Sequence, residues 1–322
     1  MATLDWTITF VGTGSLFGAP HRAFPSTLIT TSNFAYLVDC GDGTVSRLRQ
    51  IDKVNIDLVV ITEIGSSEMG GVLTLGETSR RSTRRPLPIV GPPGLLAALE
   101  SLAVLSHFST AEMFDVTEAE PNTVLHEHHQ QYLEAVPVAV NTNEIAYAYM
   151  LFETPKVGRV DAEKAARLGI KGADFSALVR GESVRGVRPK DVIGPPRPGR
   201  RVVIAGRGRP TQELRAALQN SDVAILSAPF TDDRLEVAED TGYLTGWEAA
   251  KLARDENVRL CALQRLGPFS PPWYQLQEAG QFFDRLVGPE DGSIIRVPLP
   301  ENGRPQFRRA VAPSRRRQDG AR

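Results

Sequence analysis

The sequence predicts an α/β (α+β) protein in which two strand-rich halves are each sheathed by helices, an αββα sandwich. Three observations carry that expectation. Alternating, β-branched runs crowd the first half of the chain and return after residue 200. Amphipathic helical stretches separate the strands in both halves, so each sheet has helices to cover one face. Between the halves lies a Gly- and Arg-rich passage without that alternation. Periodicity alone leaves a doubly wound sheet open beside the sandwich.

In chain order, TITFVGTGS is an alternating run that ends in a glycine turn, and PSTLITT, FAYLVDCGDGT and IDLVVIT follow at short spacing. Each is bounded by Gly, Asp or Asn, as strands are. VSRLRQI reads as a short helix opened by the GDG turn. GPPGLLAALESLAVLSHF reads as an amphipathic helix with prolines just before its first turn. TVLHEHHQQYLEAVPVAV and IAYAYMLFE alternate again. DAEKAARLGI is helical and opens an arm or loop region over about 155–200 that closes on GPPRPGRR. RVVIAGRG and SDVAILSAPF restore the strand pattern around the helix RPTQELRAALQN. LTGWEAAKLARDENV is a further helix and RLCALQRL a buried strand. One domain is expected over 1–300, followed by a polar, basic tail over 301–322 that reads as disordered.

Composition excludes several classes. The 322 residues suffice for a large core, and a net charge of -1 offers no global basic field for nucleic acid. Cys40 and Cys261 sit in apolar strand contexts, which reads as buried free thiols in a reducing cytoplasm. No apolar stretch approaches membrane-spanning length and MATLDWTITF lacks a secretory pattern, so a soluble cytoplasmic protein is expected.

Several motifs read as structural. HEHH places His126 and His128 on one strand face with His129 turned away, a solvated hairpin open to adventitious metal. VGTGS lacks the third glycine of a dinucleotide loop and reads as the tight turn after the first strand. GPPG reads as helix-start packing, because proline removes amide donors that an anion cradle needs. Asp39 and Asp42 in DCGDG read as turn residues.

The order TFVGTGS, LVDCGDGTVSRL, VVITEIGSSEMGGV and PLPIVGPPGL resembles the ribonuclease Z branch of the metallo-β-lactamase fold. GRVDAEKAARLGI, RPKDVIGPPRPGRRVVIAGRGRP and SDVAILSAPF are similar to that family's arm and second half. The resemblance runs from about Trp6 to about Phe269. It implies a metallo-β-lactamase-type sandwich with a protruding ribonuclease Z-like arm, and a homodimer. It also implies a dinuclear zinc site held by His and Asp, chemistry that suits activating water and clamping a phosphoryl oxygen.

The zinc-ligand motifs are degenerate here. The family's T-H-x-H-x-D-H falls on Thr62 to Glu68, so its ligands become Glu63, Gly65, Ser67 and Glu68. The next His falls near Thr142, and the bridging Asp of G-D-T-R-P becomes Arg207. The His of L-T-H-F-S becomes Arg265, and the His of H-S-T-A, proposed to help proton transfer, becomes Tyr243. H-E-A-T-F has become Leu226 to Phe230. No metal ligand and no cofactor is therefore expected.

A Glu/Arg cluster is expected in the centre instead. It reads either as an ion-pair plug or as an arginine-lined pocket for a carboxylate or phosphate. The first functional expectation is a reassigned pocket for a small anionic molecule, with metal-independent catalysis as a further option. Arg207, Arg265, Ser67 and Thr142 would bind, and Tyr243, Glu63 and Glu68 would handle protons. The alternatives are a non-catalytic pseudoenzyme acting as scaffold or protein partner, and a tRNA-binding remnant without nuclease activity. In the arm, the family's L-G-I-P-P-G-P stretch has lost its prolines. Arg167, Arg180, Arg185 and Arg188 remain as phosphate contacts or as a solvated face.

Overall fold

The computed structural model describes residues 5–19, 21–52, 55–138, 140 and 146–310. Among these, two sheets stack between two layers of helices. The first sheet has the order β15-β14-β1-β2-β3-β4-β5-β6. Its strands are β1 Trp6–Gly12, β2 Ser26–Thr30, β3 Ala35–Val38, β4 Leu58–Val60, β5 Leu87–Gly91, β6 Phe114–Glu118, β14 Ile294–Val297 and β15 Gln306–Arg308. The second has the order β13-β12-β11-β10-β9-β8-β7. It comprises β7 Val124–His128, β8 Gln131–Pro137, β9 Tyr147–Glu153, β10 Arg201–Ala205, β11 Val223–Ser227, β12 Cys261–Gln264 and β13 Leu286–Val287. Both sheets are mixed: β3 to β6 run parallel, as do β10 to β13, while β1–β2 and β7–β8–β9 are antiparallel. The sandwich, not the doubly wound sheet, is the observed architecture.

The alternation in the sequence explains the layers. Trp6, Ile8 and Phe10 of β1 meet Tyr149, Val202, Ile204 and Ile225 between the sheets. Their neighbours Val203, Ala205, Ala224 and Leu226 face the helices with Leu214, Leu218 and Leu252. Val59 and Ile61 do the same on the other side with Leu75, Leu95 and Leu99. A period of two with both faces covered makes central strands such as LVV of β4 apolar throughout.

The segment between β9 and β10 folds on itself. Lys156 and Val160 form bridges with Arg197 and Ile193, and Ala165, Ile170, Leu178, Val187 and Val192 make a separate small core. Of its arginines, Arg180 pairs with Glu182, Arg185 with Asp174 and Arg188 with Asp191, at 2.9, 3.4 and 3.2 Å.

Four expectations need correction. The tail is not uniformly irregular, because Gln306–Arg308 pairs with β14 as an edge strand. The helix after GPPG is shorter than its pattern, Leu95–Ala103, and leaves Val104 and Leu105 exposed. His126 and His128 share a face but are not freely solvated: they are half-buried and pack at a tilt against Phe34, with ring centroids at 4.5 and 4.9 Å. The His129 ring lies 4.3 Å from that of His128 rather than apart from it.

GPPG does start a helix, and the amide of Leu96 donates to Glu118 at 3.0 Å. Gly12 is required because a Cβ there would lie 1.9 Å from the Phe24 carbonyl oxygen. Cys40 and Cys261 are buried free thiols, and burial pushes both up. No helix among the described residues is long and apolar enough to cross a membrane.

Candidate functional site

The candidate site lies at the carboxyl ends of β3 and β4 in one sheet and β10, β11 and β12 in the other, the usual place for ligands in parallel sheets. β4 delivers Thr62 and Glu63, and the short helix Ser66–Met69 follows. Arg207 follows β10, Arg265 follows β12, and Tyr243 follows the helix Leu235–Thr241. The fold thus gathers six of the seven predicted site residues; Thr142 lies outside the described residues.

They form two ion pairs at different depths. Arg207 Nε donates to Glu63 Oε2 at 2.7 Å, with side chains 16% and 7% exposed. Beneath, Arg265 Nη2 stands 2.7 Å from Glu68 Oε1, with side chains 1% and 2% exposed. Arg265 is further fixed by Nε donating to Ser227 Oγ at 3.0 Å and by the Tyr243 ring, whose centroid is 5.7 Å from its guanidinium carbon. Its backbone is left-handed (φ 65°), with its amide donating to the Thr13 carbonyl. Ser67 Oγ donates to Glu68 Oε2 at 2.7 Å, so this hydroxyl supports the buried pair.

Asp39, read from sequence as a turn residue, is part of the cluster. It sits at φ 59° beyond β3 and accepts from the amide and hydroxyl of Thr62. Gly206 packs on the same threonine, since a Cβ there would meet Thr62 Oγ1 at 2.6 Å. Burial, and then the Glu68 charge, pushes the Asp39 carboxyl up to about 8, against the pull of Arg265 and Thr62. Glu63 is also raised, first by burial and then by Glu68. Burial pushes the Tyr243 phenol up to about 12, which makes it a proton donor and not a base at neutral pH. Burial alone would lower Arg265, but Glu68, Tyr243, Glu63 and Asp39 hold it above its ordinary value. With Asp39 protonated, two guanidinium groups balance two carboxylates.

Above the cluster opens a cleft of about 450 Å³ lined by Leu16, Phe17, Ile64, Arg207, Asp240 and Tyr243, with Glu63 and the 65–68 turn as its floor. Arg265, expected to contact a ligand there, lies below the floor and does not line it.

No family model matches the chain. It is 31% identical over 305 residues to ribonuclease Z of Haloferax volcanii, covering 91% of this chain and 96% of that protein. It is 32% identical over 306 residues to ribonuclease Z of Myxococcus xanthus, covering 91% and 98%. The chain belongs to the ribonuclease Z family. Among solved structures it matches the metallo-β-lactamase fold protein YhfI of Bacillus subtilis (TM-score 0.67, 16% identity, 91% and 99% covered). It also matches the short form of human tRNase Z (TM-score 0.65, 18% identity, 91% and 99% covered), and both likenesses concern the fold.

In this ribonuclease Z relative the donor set does not suit the zinc pair that the family resemblance implies. Two of the positions carry guanidinium groups, which cannot deprotonate to become ligands. The carboxylates beside them are already paired at 2.7 Å. The described residues contain no group of three or more His, Cys, Asp or Glu able to hold a metal ion.

Proposed function

We propose that this ribonuclease Z relative works without zinc and without phosphodiester hydrolysis, as a non-catalytic protein partner. One observation carries the reading: the buried Arg265–Glu68 pair at 2.7 Å, on positions that in the family resemblance belong to metal-binding histidines. A cation fixed to the protein takes the place of a metal cation, and the attacking water loses its activator. Tag-free protein should contain far less than one zinc per chain, leave precursor tRNA intact, and keep its melting temperature when a chelator is added. Stoichiometric zinc with chelator-sensitive trimming would overturn the proposal.

The open cleft favours a second reading, a small anionic ligand held by Arg207. Such a ligand has to displace Glu63 from the guanidinium, and Glu63, already raised by burial, would take up a proton as it is released. This reading expects thermal stabilisation by an anionic metabolite that disappears in Arg207→Ala. We also propose the homodimer that the family resemblance implies, to be read by light scattering.

A further inference from the structure

A ledge of exposed apolar side chains runs from the cleft mouth to the helix Pro272–Gly280. Phe17, 47% exposed, lies on Phe269 with ring centroids 4.8 Å apart. Phe269 stacks on buried Phe230 at 5.1 Å. Close packing around Gly267 joins Ala19 to Pro272, since a Cβ on that glycine would lie 3.8 and 3.2 Å from them. Trp273, 65% exposed, and Tyr274 continue the surface. Single exposed apolar residues are ordinary, but linked aromatics beside a cleft mark a contact surface.

The ledge is bordered by negative charge. Asp232, Asp233, Glu236 and Asp240 are exposed on the run 232–240. Arg234 is the cation of that run, and it lies over the Phe269 ring at 5.0 Å. Glu278 accepts from the Asp232 amide, and its carboxyl is raised by burial and then by Asp232 and Asp233. Arg234 alone stands against Asp232, Asp233, Glu236 and Asp240 in this run, so the local field is negative. The cleft adds Asp240 to it, since Glu63 and Glu68 are balanced there by Arg207 and Arg265. A nucleic-acid backbone would be repelled here, and a cationic chain attracted.

We propose that the ledge docks a basic peptide segment of a partner protein, one that carries both arginines and large apolar side chains. Its guanidinium groups pair with Asp232, Asp233 and Glu236 and lie over Trp273, while its apolar groups cover Phe17 and Tyr274. This names the partner class for the protein-partner reading above and rests on it.

The test uses the full chain and a fluorescent synthetic peptide bearing four arginines, two leucines and a phenylalanine, read by anisotropy. The expected result is saturable binding that weakens with salt. It should fall about tenfold or more both in Asp232→Asn/Asp233→Asn/Glu236→Gln and in Trp273→Ser, with the melting temperature little changed. Equal binding of a peptide with glutamate in place of arginine overturns the proposal, as does binding that neither variant weakens. A dimer that Trp273→Ser splits would assign the ledge to a second copy. Tighter binding of a peptide spanning residues 311–322 would assign it to this chain's own basic end, and either result also overturns the proposal. Loss of peptide binding in zinc-free, inactive protein sinks the ledge alone, whereas zinc-dependent tRNA cleavage sinks the function proposed above.

Discussion

At the scale of the residue, the site is governed by what a buried charge requires. Arg265 and Glu68 are each nearly inaccessible, so removing one strands the other. Arg265→Ala should cost about 3–5 kcal/mol in urea unfolding, whereas Arg265→Met with Glu68→Met should recover most of that loss. If the double variant is no better than the single, the pair is not an isolated plug. Asp39 gives a pH dependence with a definite sign. Its folded value of about 8 lies above the 3.8 of a free aspartate, so the folded protein binds the extra proton. That contribution is fully present below about pH 4 and is lost as pH rises through about 8, with a slope of up to about 1.4 kcal/mol per pH unit. The groups facing Asp39 are Glu68, Arg265, Thr62 and Tyr149. Asp39→Asn keeps an acceptor for the Thr62 amide and tolerates the left-handed backbone. It should flatten the stability profile between those limits and make the variant comparatively more stable at pH 8. An unchanged profile would show that Asp39 is ionised in the fold.

At the scale of the element, strands with two covered faces were readable and strands held mainly by backbone pairing were not. Val59, Val203 and Ala224 alternate with core residues, so β4, β10 and β11 announce themselves in the sequence. Gln306, Phe307 and Arg308 have no such pattern, and β15 exists because β14 offers an edge. Leu286–Val287 is too short to carry a period. The candidate site was legible only through motif order, which put Arg207, Arg265, Glu63 and Glu68 into one expected cluster without saying which carboxylate meets which guanidinium. Depth was not legible: Arg265 goes under the floor because its left-handed residue follows β12, and Asp39 joins because β3 ends beside Thr62. Gly206 ties these loops together. Gly206→Ala pushes on Thr62 at 2.6 Å and should cost about 1–3 kcal/mol, with the loss concentrated around the cluster. A fully stable variant would mean that the loop moves aside freely.

At the scale of the whole molecule, the question is how far the arm is coupled to the sandwich that carries the site. Its apolar cluster, from Ala165 to Val192, is separate from the three clusters that hold the sheets and their helices. It is joined to the body through the paired segments at Lys156–Arg197 and Val160–Ile193. The backbones approach closely there, since a Cβ added at Gly158 would lie 1.9 Å from the Gly194 carbonyl oxygen, which makes that neck tight without making it wide. A small core with exposed ion pairs opens at lower free energy than a central strand, because salt bridges of that kind contribute about 1 kcal/mol or less each. Hydrogen exchange should therefore release the amides of 162–192 well before those of β4, β10 and β11. Replacing 160–193 by a short Gly-Ser link should leave the buried Arg265–Glu68 pair and the cleft intact, with a melting temperature close to that of the parent chain. Exchange of the arm in step with β10, or collapse of the body on excision, would instead make arm and sandwich one cooperative unit. A partner bound at the ledge could then act on the arm through the fold itself.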